Sequence, residues 1–196
     1  MLFHQDIKRQ FMEAIENILT RNSCSKLVKP FPKKEEMKLV YESALRAPDH
    51  ANLKPSKFIE VTGSGLEKLS KIFMDYNATH LNEQNEMKLK KYKNAPFRSP
   101  MIIVLICDLK EHPKVPHIEQ MLSTAAAAQN MLLALHALNY GAIWRTGIFS
   151  LNDEIPKFFN LKSNQKIMGY LYVGTIAGKL KTITKINTSD FVEFWS

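Results

Sequence analysis

The spacing of apolar residues along the chain predicts several helices. Apolar positions that recur every three and four residues predict amphipathic helices over residues 7–20, 34–45 and 66–74. A longer helix, of about six turns, is predicted over residues 117–138. The alanine run at residues 125–128 and the leucines after it make this helix apolar over most of its circumference. We expect such a helix to lie in the core or in a dimer interface.

Shorter apolar runs predict the strands of one sheet. Residues 101–107 are apolar throughout, which predicts a strand buried on both faces at the centre of the sheet. Residues 58–61 and 166–173 predict two further strands. Because helices and strands alternate unevenly and no internal repeat is present, we expect a single mixed α+β domain over residues 1–196.

Three remaining segments complete this interpretation. Residues 77–93 are polar, charged and free of glycine, which predicts a surface helix or a flexible excursion. Residues 150–159 predict a short capped helix. The final segment, residues 187–196, contains Phe191 and Trp195 and is too apolar for a free tail. We expect it to pack against another surface.

The composition indicates a folded protein outside the membrane. The 196 residues are 45% apolar and 10% aromatic, which suffices for a core and argues against disorder. The longest apolar runs are too short to cross a bilayer, and the first residues lack the pattern of a secretory signal. Cys24 and Cys107 are isolated, as expected in a reducing compartment. We therefore expect a soluble, cytoplasmic protein without a membrane partner.

The excess of basic residues favours an anionic ligand. Lysine and arginine outnumber aspartate and glutamate by 27 to 19, which gives a net charge of +8. A phosphate, a dinucleotide or a nucleic acid would satisfy this charge. A nucleic-acid-binding module stays open, although no helix-turn-helix, zinc-finger or aromatic RNA-binding motif is present. The lysine-rich runs at residues 88–93 and 179–185 are more typical of solvated faces.

A first polar cluster follows the first predicted helix. Residues 21–26 combine Arg21 and Lys26 with hydroxyl groups and an amide, a mixture able to hold a phosphate or the polar edge of a ring. Arg21 can equally interact with the last carbonyls of the preceding helix. Both interpretations stay open from the sequence alone.

A second polar cluster occupies residues 46–58, between a predicted helix and a predicted strand. Two prolines, Pro48 and Pro55, restrict the shape of this loop. Its polar side chains are Arg46, Asp49, His50, Asn52 and Lys54. A lone loop histidine is more often ordinary than catalytic, but these neighbours favour a binding site. A third candidate segment, residues 144–147, ends in Gly147, which allows a ligand to approach the backbone.

Taken together, these segments resemble the FMN-dependent nitroreductases, especially their small bacterial NAD(P)H-dependent branch. Five motifs carry the resemblance: Arg21-Asn22-Ser23, residues 46–55, residues 94–100, Trp144-Arg145-Thr146-Gly147 and residues 169–174. The resemblance implies a nitroreductase-like α+β fold with a central mixed, mainly antiparallel sheet flanked by helices. It also implies an intertwined homodimer, a C-terminal extension around the partner, and two flavin sites that each use both subunits.

The resemblance further implies roles for residues around the flavin. Arg21 is expected to bind the FMN phosphate, and Asn22 and Ser23 to contact ring or ribityl oxygens. Lys179 or Lys181 would add a cation at the phosphate. The residues expected to reach the flavin from the neighbouring subunit are Arg46, His50 and Asn52. Those expected to pass beside the isoalloxazine ring are Trp144, Arg145 and Thr146.

The implied function is the reduction of nitroaromatic, quinone-like or other small electron acceptors by NADH or NADPH through FMN, in a ping-pong hydride transfer. Since the flavin carries the chemistry, no acid–base pair is required. A flavin-binding protein of the same fold with another activity, such as flavin fragmentation, or with none, stays open as an alternative. The chain departs from many relatives at Asn22, where they have a second arginine, and at Lys54 and Ser56, where they have Gln and Trp.

Overall fold

The computed structural model describes residues 12–195, and the strands in that range form one antiparallel sheet. They are β1 (Leu27–Val28), β2 (Ser56–Thr62), β3 (Met101–Asp108), β4 (Gly141–Arg145) and β5 (Gln165–Ile176). Their order is β1-β5-β3-β2, and β4 also pairs with β5. Each strand pair is antiparallel, and an isolated parallel bridge joins Ser23 to Ala142. The predicted α+β class and mainly antiparallel sheet are confirmed.

The sheet is flanked by α-helices. They are α1 (Ala14–Thr20), α2 (Lys34–Ala44), α3 (Ser64–Tyr76), α4 (Glu86–Asn94), α5 (His117–Ala137) and α6 (Ile155–Phe158). The helices predicted over residues 34–45, 66–74 and 117–138 are confirmed to within two residues at either end. Of the first predicted helix, residues 7–11 lie outside the described range, residues 12 and 13 are not helical, and α1 covers residues 14–20.

Strand β3 lies between β5 and β2, in the central position that its sequence predicts. Its residues from Met101 to Cys107 are at most 2% exposed. Because successive side chains of a strand point to opposite faces, β3 contributes to two cores. One core, the α5 layer, contains side chains of α2 and α5, and the other, the α3 layer, contains side chains of α3 and α6. Burying each large apolar side chain contributes about 1.5–3 kcal/mol to folding.

Helix α5 buries one side against the sheet and exposes the other. The exposed side carries what we call the outer stripe, a set of residues at helical spacing that consists of Ile118, Leu122, Ala125, Ala126 and Gln129. Leu122 is 61% exposed. From Gln120 to Ala137 the helix contains no aspartate, glutamate, lysine or arginine. The described chain therefore leaves an uncharged, largely apolar helix face uncovered.

Two short strands and one helix end differ from the sequence prediction. Strands β1 and β4 are not predicted by the hydrophobic pattern, because both are short and pair with a distant strand. The helix expected over residues 150–159 is confined to α6, so its predicted extent is wrong. The side chain of Asn152, rather than Ser150, accepts hydrogen bonds from the amides of Glu154 and Ile155 at its start. Residues 77–93 contain an irregular helical turn followed by α4.

The C-terminal tail, which we define as residues 177–195, runs along the surface without joining the sheet. Its apolar side chains do not pack within the described chain: Phe191, Phe194 and Trp195 are 76%, 88% and 90% exposed. The sequence predicts that this segment packs against another surface, and residues 12–195 do not provide that surface. In the same range, no helix combines the length and apolarity needed to cross a membrane.

Candidate functional site

A cavity of about 280 Å³ lies between the segment after α1 and the start of the C-terminal tail. We call it the lysine cavity, after its polar lining residues Ser23, Ser25, Lys26, Lys179 and Lys181. None of its lining residues within 12–195 is a carboxylate. Ammonium and hydroxyl groups give charge-assisted hydrogen bonds to phosphate oxygens, so the cavity has the chemistry of an anion site.

Hydrogen bonds hold the two walls of the lysine cavity together. The amide of Ala177 donates to the carbonyl oxygen of Lys26 over 3.0 Å. The side-chain amide of Asn22 donates to the carbonyl oxygen of Lys181 over 2.7 Å. Asn22 therefore holds the tail in position by donating a hydrogen bond. An arginine, which many relatives have at this site, is also a hydrogen-bond donor.

Gly141, at the start of β4, lets the segments behind the lysine cavity approach each other. A Cβ atom at this position would lie 2.7 Å from side-chain carbons of both Leu27 and Ile176, and 3.1 Å from that of Cys24. Contacts this short would force the neighbouring segments apart. The glycine is required here by close packing.

Arg21, directly after α1, carries an unsatisfied donor. Its Nη1 atom is buried and has no hydrogen-bond partner among the described residues. Burial lowers the pKa of the nearby His136, and the positive charge of Arg21 lowers it further. Arg21 also acts electrostatically on the thiol of Cys24, which lines the lysine cavity. Arg21 is not among the residues that line the lysine cavity, but a buried, unpaired guanidinium N–H near an anion site favours a bound oxyanion.

A second cavity, of about 510 Å³, lies in the α3 layer. We call it the aromatic cavity; the residues that give it its aromatic walls are Phe73, Tyr92, Phe149, Tyr170 and Tyr172. Among the described residues, its lining includes three cations, Lys91, Arg98 and Arg145, and no carboxylate. Thr146 and Gly147 line it through the loop after β4. The volume falls in the range of about 300–1,000 Å³ that is usual for small-molecule sites.

Two guanidinium groups converge on Tyr172 in the aromatic cavity. The Arg145 guanidinium carbon lies 5.4 Å from the centroid of the Tyr172 ring, and its Nε atom is buried without a partner among residues 12–195. Burial raises the pKa of Tyr172, and the charges of Arg145 and Arg98 oppose that rise. The hydroxyl group therefore stays protonated near neutral pH and faces two positive charges.

The two cavities follow one face of β5. Tyr172 lines the aromatic cavity and Ile176 lines the lysine cavity. Residues four apart on a strand lie on the same face, at a separation of about 13 Å. A ligand with an anionic group at one end and a planar ring at the other, joined by a short flexible chain, matches this spacing.

Of the three residues expected beside the ring, the structure separates Trp144 from the other two. Arg145 and Thr146 line the aromatic cavity, whereas Trp144 packs against the α5 layer. The Trp144 indole donates to the carbonyl oxygen of Met168 over 3.1 Å. Gly169 is needed there: its φ is +131°, and a Cβ atom would lie 2.3 Å from the indole nitrogen.

The loop that contains Arg46, His50 and Asn52 lies at the N-terminal end of α5. His50 Nδ1 is 2.8 Å from Glu119 Oε2. The Ser123 hydroxyl donates to the carbonyl oxygen of Pro48 over 2.7 Å.

Asp49 shapes this loop from within. Its carboxylate accepts hydrogen bonds from the amides of Leu53, over 3.0 Å, and Lys54, over 2.8 Å. Ala51, Asn52 and Lys54 all have positive φ, a conformation that non-glycine residues adopt only when it is held in place. The side chain of Asp49 supplies this restraint.

The structure does not bring the first two polar clusters together within one chain. Arg21 lies by His136 at the C-terminal end of α5, and His50 lies by Glu119 at the N-terminal end. At 1.5 Å per residue, the helix separates these positions by about 25 Å. In the described chain Arg46, His50 and Asn52 line neither cavity.

Sequence reasoning gives no individual role to several residues that the structure places in the aromatic cavity, among them Lys91, Arg98 and Tyr172. Arg98 and Tyr172 lie in motifs noted from the sequence, residues 94–100 and 169–174, and these motifs are the available signal. Tyr172 is brought to Arg98 by the pairing of β3 with β5, which local patterns do not encode. Within residues 12–195, no group of three or more His, Cys, Asp or Glu side chains could hold a metal ion.

Comparison with known proteins identifies relatives over nearly the whole chain. The model of the family described as "Nitroreductase family" matches residues 18–175. YdjA of Escherichia coli (strain K12), which bears the provisional name NAD(P)H nitroreductase, is 34% identical over 93% of this chain and 98% of its own length.

Two crystal structures show the same fold. A nitroreductase-like family protein from Bacillus cereus has a TM-score of 0.80 at 20% identity and covers 96% of this chain and 99% of its own. A protein from Desulfovibrio desulfuricans, provisionally named a nitroreductase and crystallised with FMN, has a TM-score of 0.71 at 19% identity, over 93% of this chain and 96% of its own.

Proposed function

Because the chain belongs to the nitroreductase family, we propose that it is an oxidoreductase that binds FMN and uses NADH or NADPH to reduce small nitroaromatic or quinone-like acceptors. We propose further that residues 1–196 form a single FMN-binding domain and that two copies assemble into a homodimer in the cytoplasm. The buried, unpaired thiols of Cys24 and Cys107 support a reducing compartment.

The observation that carries this proposal is the pair of cavities on one face of β5. The lysine cavity offers Lys26, Lys179 and Lys181 to a phosphate, beside the unpaired Nη1 of Arg21. The aromatic cavity offers flat apolar walls to a ring system. The spacing of about 13 Å between Tyr172 and Ile176, which line one cavity each, suits the ribityl chain between the two ends of FMN. Arg145, whose Nε lacks a partner among residues 12–195, lines the aromatic cavity, where FMN would supply acceptors.

Bound FMN would supply the redox chemistry, accepting a hydride from NAD(P)H and passing two electrons to the acceptor. The chain's own residues set the electrostatics around it. Arg98 and Arg145 place positive charge in a partly desolvated cavity, which favours the added negative charge of the reduced ring. The protonated hydroxyl of Tyr172 provides a hydrogen-bond donor at the same place. The loop at Thr146 and Gly147 presents backbone groups to the ring.

The outer stripe of α5 supports assembly into a dimer. An uncharged helix face with exposed Ile118 and Leu122 fits a protein interface better than solvent. If two α5 helices pack antiparallel through this stripe, the N-terminal end of one lies beside the C-terminal end of the other. Arg46, His50 and Asn52 of the partner subunit then approach the Arg21 end of this chain, which the length of α5 forbids within one chain.

The C-terminal tail supports the same assembly. Its exposed aromatic side chains require a covering surface that the described chain does not provide. The outer edge of β2 pairs with no strand among residues 12–195, and a cavity of about 300 Å³ adjoins that strand. An extended segment of a second copy could pair with this edge and fill the cavity.

One experiment tests the proposed activity and its main alternative. The purified protein is expected to be yellow, to retain one FMN per chain, and to bleach on anaerobic addition of NADH or NADPH. Addition of a nitroaromatic or quinone acceptor should restore the oxidised spectrum, and double-reciprocal plots should be parallel, as a ping-pong reaction requires. A yellow protein that NAD(P)H does not bleach would identify a flavin-binding protein without this turnover. A colourless protein that ignores added FMN would contradict the proposal altogether.

A further inference from the structure

The lysine-rich run at residues 88–93 lies on α4, and the structure separates its members by environment. Lys88 Nζ is 2.7 Å from Glu83 Oε2 and is therefore already paired. Lys93 lines a different, shallow cavity, and Lys90 is exposed and lines none of the cavities described here. Of the four, Lys91 alone lines the aromatic cavity.

The aromatic cavity holds more positive charge than a flavin ring needs. Within residues 12–195, none of Lys91, Arg98 and Arg145 forms an ion pair, and no carboxylate lines the cavity. The proposed oxidised ring is neutral, and the reduced ring carries a single negative charge. Arg98 and Arg145 flank Tyr172 on one side of the cavity, while Lys91 comes from α4. Lys91 therefore remains as a flexible cation that can interact with the electron acceptor, the molecule that enters after NAD(P)H has left.

We propose that Lys91 makes the acceptor site selective for aromatic acceptors with an anionic substituent, a carboxylate or a sulfonate. This inference rests on the proposed function. The ring of such an acceptor stacks on the exposed face of the FMN ring within the aromatic cavity, and its anionic group reaches the Lys91 ammonium. Reduction of its nitro group to a nitroso group takes two electrons and two protons and releases one water molecule, with NAD(P)H as the electron source. The carboxylate is unchanged by the reaction and serves recognition alone.

The expected effect follows from the exposure of Lys91. Its side chain is exposed, so solvent screens its attraction for a carboxylate and only a modest part of the Coulomb energy remains. We expect the loss of this charge to lower kcat/KM for an anionic acceptor about threefold to tenfold. Added salt should reduce the preference for the anion, because the Debye length falls from about 30 Å at 0.01 M to about 10 Å at 0.1 M.

The test compares 4-nitrobenzoate with 4-nitrobenzamide, two acceptors of similar shape that differ in charge. The wild-type enzyme is expected to show the higher kcat/KM for 4-nitrobenzoate. The Lys91→Gln variant should lower the benzoate-to-benzamide ratio, and Lys91→Arg should retain it. Lys90→Gln is the matched control, because it removes the same net charge from the same helix outside the cavity. A second readout, the affinity of non-reducible benzoate and benzamide measured from the flavin spectrum, should follow the same order without turnover.

Each outcome decides one question. The inference would be overturned if the wild-type enzyme had equal kcat/KM values for the two acceptors, and the proposed function would stay intact. It would also be overturned if Lys90→Gln and Lys91→Gln lowered the benzoate-to-benzamide ratio equally. That second result would assign the preference to the net charge of +8 instead. A colourless protein, or one that NAD(P)H does not reduce, would overturn the proposed function and this inference with it.

Discussion

The two ends of α5 present opposite situations. At the C-terminal end, the lysine cavity and the base of the tail come together within one chain, with Arg21 and its unpaired Nη1 nearby. At the N-terminal end, the loop around His50 is well fixed to α5 but lines neither the lysine cavity nor the aromatic cavity of residues 12–195. In the proposed dimer, the first end would bind the flavin and the second would complete the site of a second copy.

This difference shows how a site can be divided by a single helix. Both clusters were expected at one flavin, and α5 separates them by about 25 Å. An antiparallel pair of α5 helices reconciles the expectation with the distance, because it places unlike ends together. The outer stripe between the two ends then becomes as important for FMN binding as the residues that would touch it. The following predictions address this arrangement.

The largest effect is expected from Leu122→Glu, which puts a charge in the middle of the outer stripe. An unpaired charge buried in an interface costs several kcal/mol, so we expect a monomer and a loss of FMN affinity of about a hundredfold or more. Light scattering and FMN titration measure the two effects. Met87→Glu, on α4, is the control, because Met87 is also apolar and is 80% exposed. A dimeric Leu122→Glu protein with normal FMN affinity would show that the stripe is not the interface.

Arg21→Ala is expected to weaken FMN binding without breaking the dimer. Removal of one charge-assisted hydrogen bond costs about 1.5–3 kcal/mol, which corresponds to about tenfold to a hundredfold in the dissociation constant. Arg21→Lys should lose less, because it retains the charge. Wild-type FMN affinity in Arg21→Ala would refute the assignment of this residue to the phosphate.

Mixed dimers test directly whether Arg21 and His50 of one flavin site come from different chains. If each site uses Arg21 from one chain and His50 from the other, a dimer of one Arg21→Ala chain and one His50→Ala chain contains one doubly altered site and one intact site. We expect such heterodimers to recover tight binding at half of their sites, while both parent homodimers bind weakly at all sites. Differently tagged chains and FMN stoichiometry provide the measurement. Failure to recover any tight site would place both residues at the same site of one chain, against the distance along α5.

The smallest effect concerns the pKa of His136 beside Arg21. Burial is the larger cause of its lowered pKa, and the charge of Arg21 is the second. We therefore expect Arg21→Ala to raise the pKa of His136 only part of the way to the ordinary histidine value, as NMR titration can show. Since the folded protein holds this proton less tightly than the unfolded chain, stability should decline as the pH falls below about 6.5. In His136→Asn, stability should decline less over this pH range than in the wild-type protein. If the dependence of stability on pH is unchanged in this variant, His136 does not contribute to the decline.

The sequence predicted the elements whose signals are local. Residues 101–107 identify the central strand because their uninterrupted apolarity requires burial on both faces. In α5, apolar residues spaced three and four apart identify a helix. Strand β4 was missed because five residues carry little pattern and its partner, β5, lies more than twenty residues away.

The candidate site was predictable in part for the same reason. Arg145 and Thr146 line the aromatic cavity and Lys179 lines the lysine cavity, because the first two lie at the end of β4 and the third follows β5. Arg98 and Tyr172 come together only through the register of β3 with β5, which no local motif contains. The separation of Arg21 from His50 by about 25 Å along α5 follows from the three-dimensional structure, and no sequence motif indicates it.

The way in which Asp49 shapes its loop has a consequence for assembly. Two backbone amides held by one carboxylate, together with the Ser123 contact, mean that this loop gives up its conformational entropy when the chain folds. A second copy would then meet a rigid, preorganised surface, and association would carry no additional ordering cost for that loop. Its rigidity would therefore favour rapid and tight pairing of the two chains before any flavin arrives.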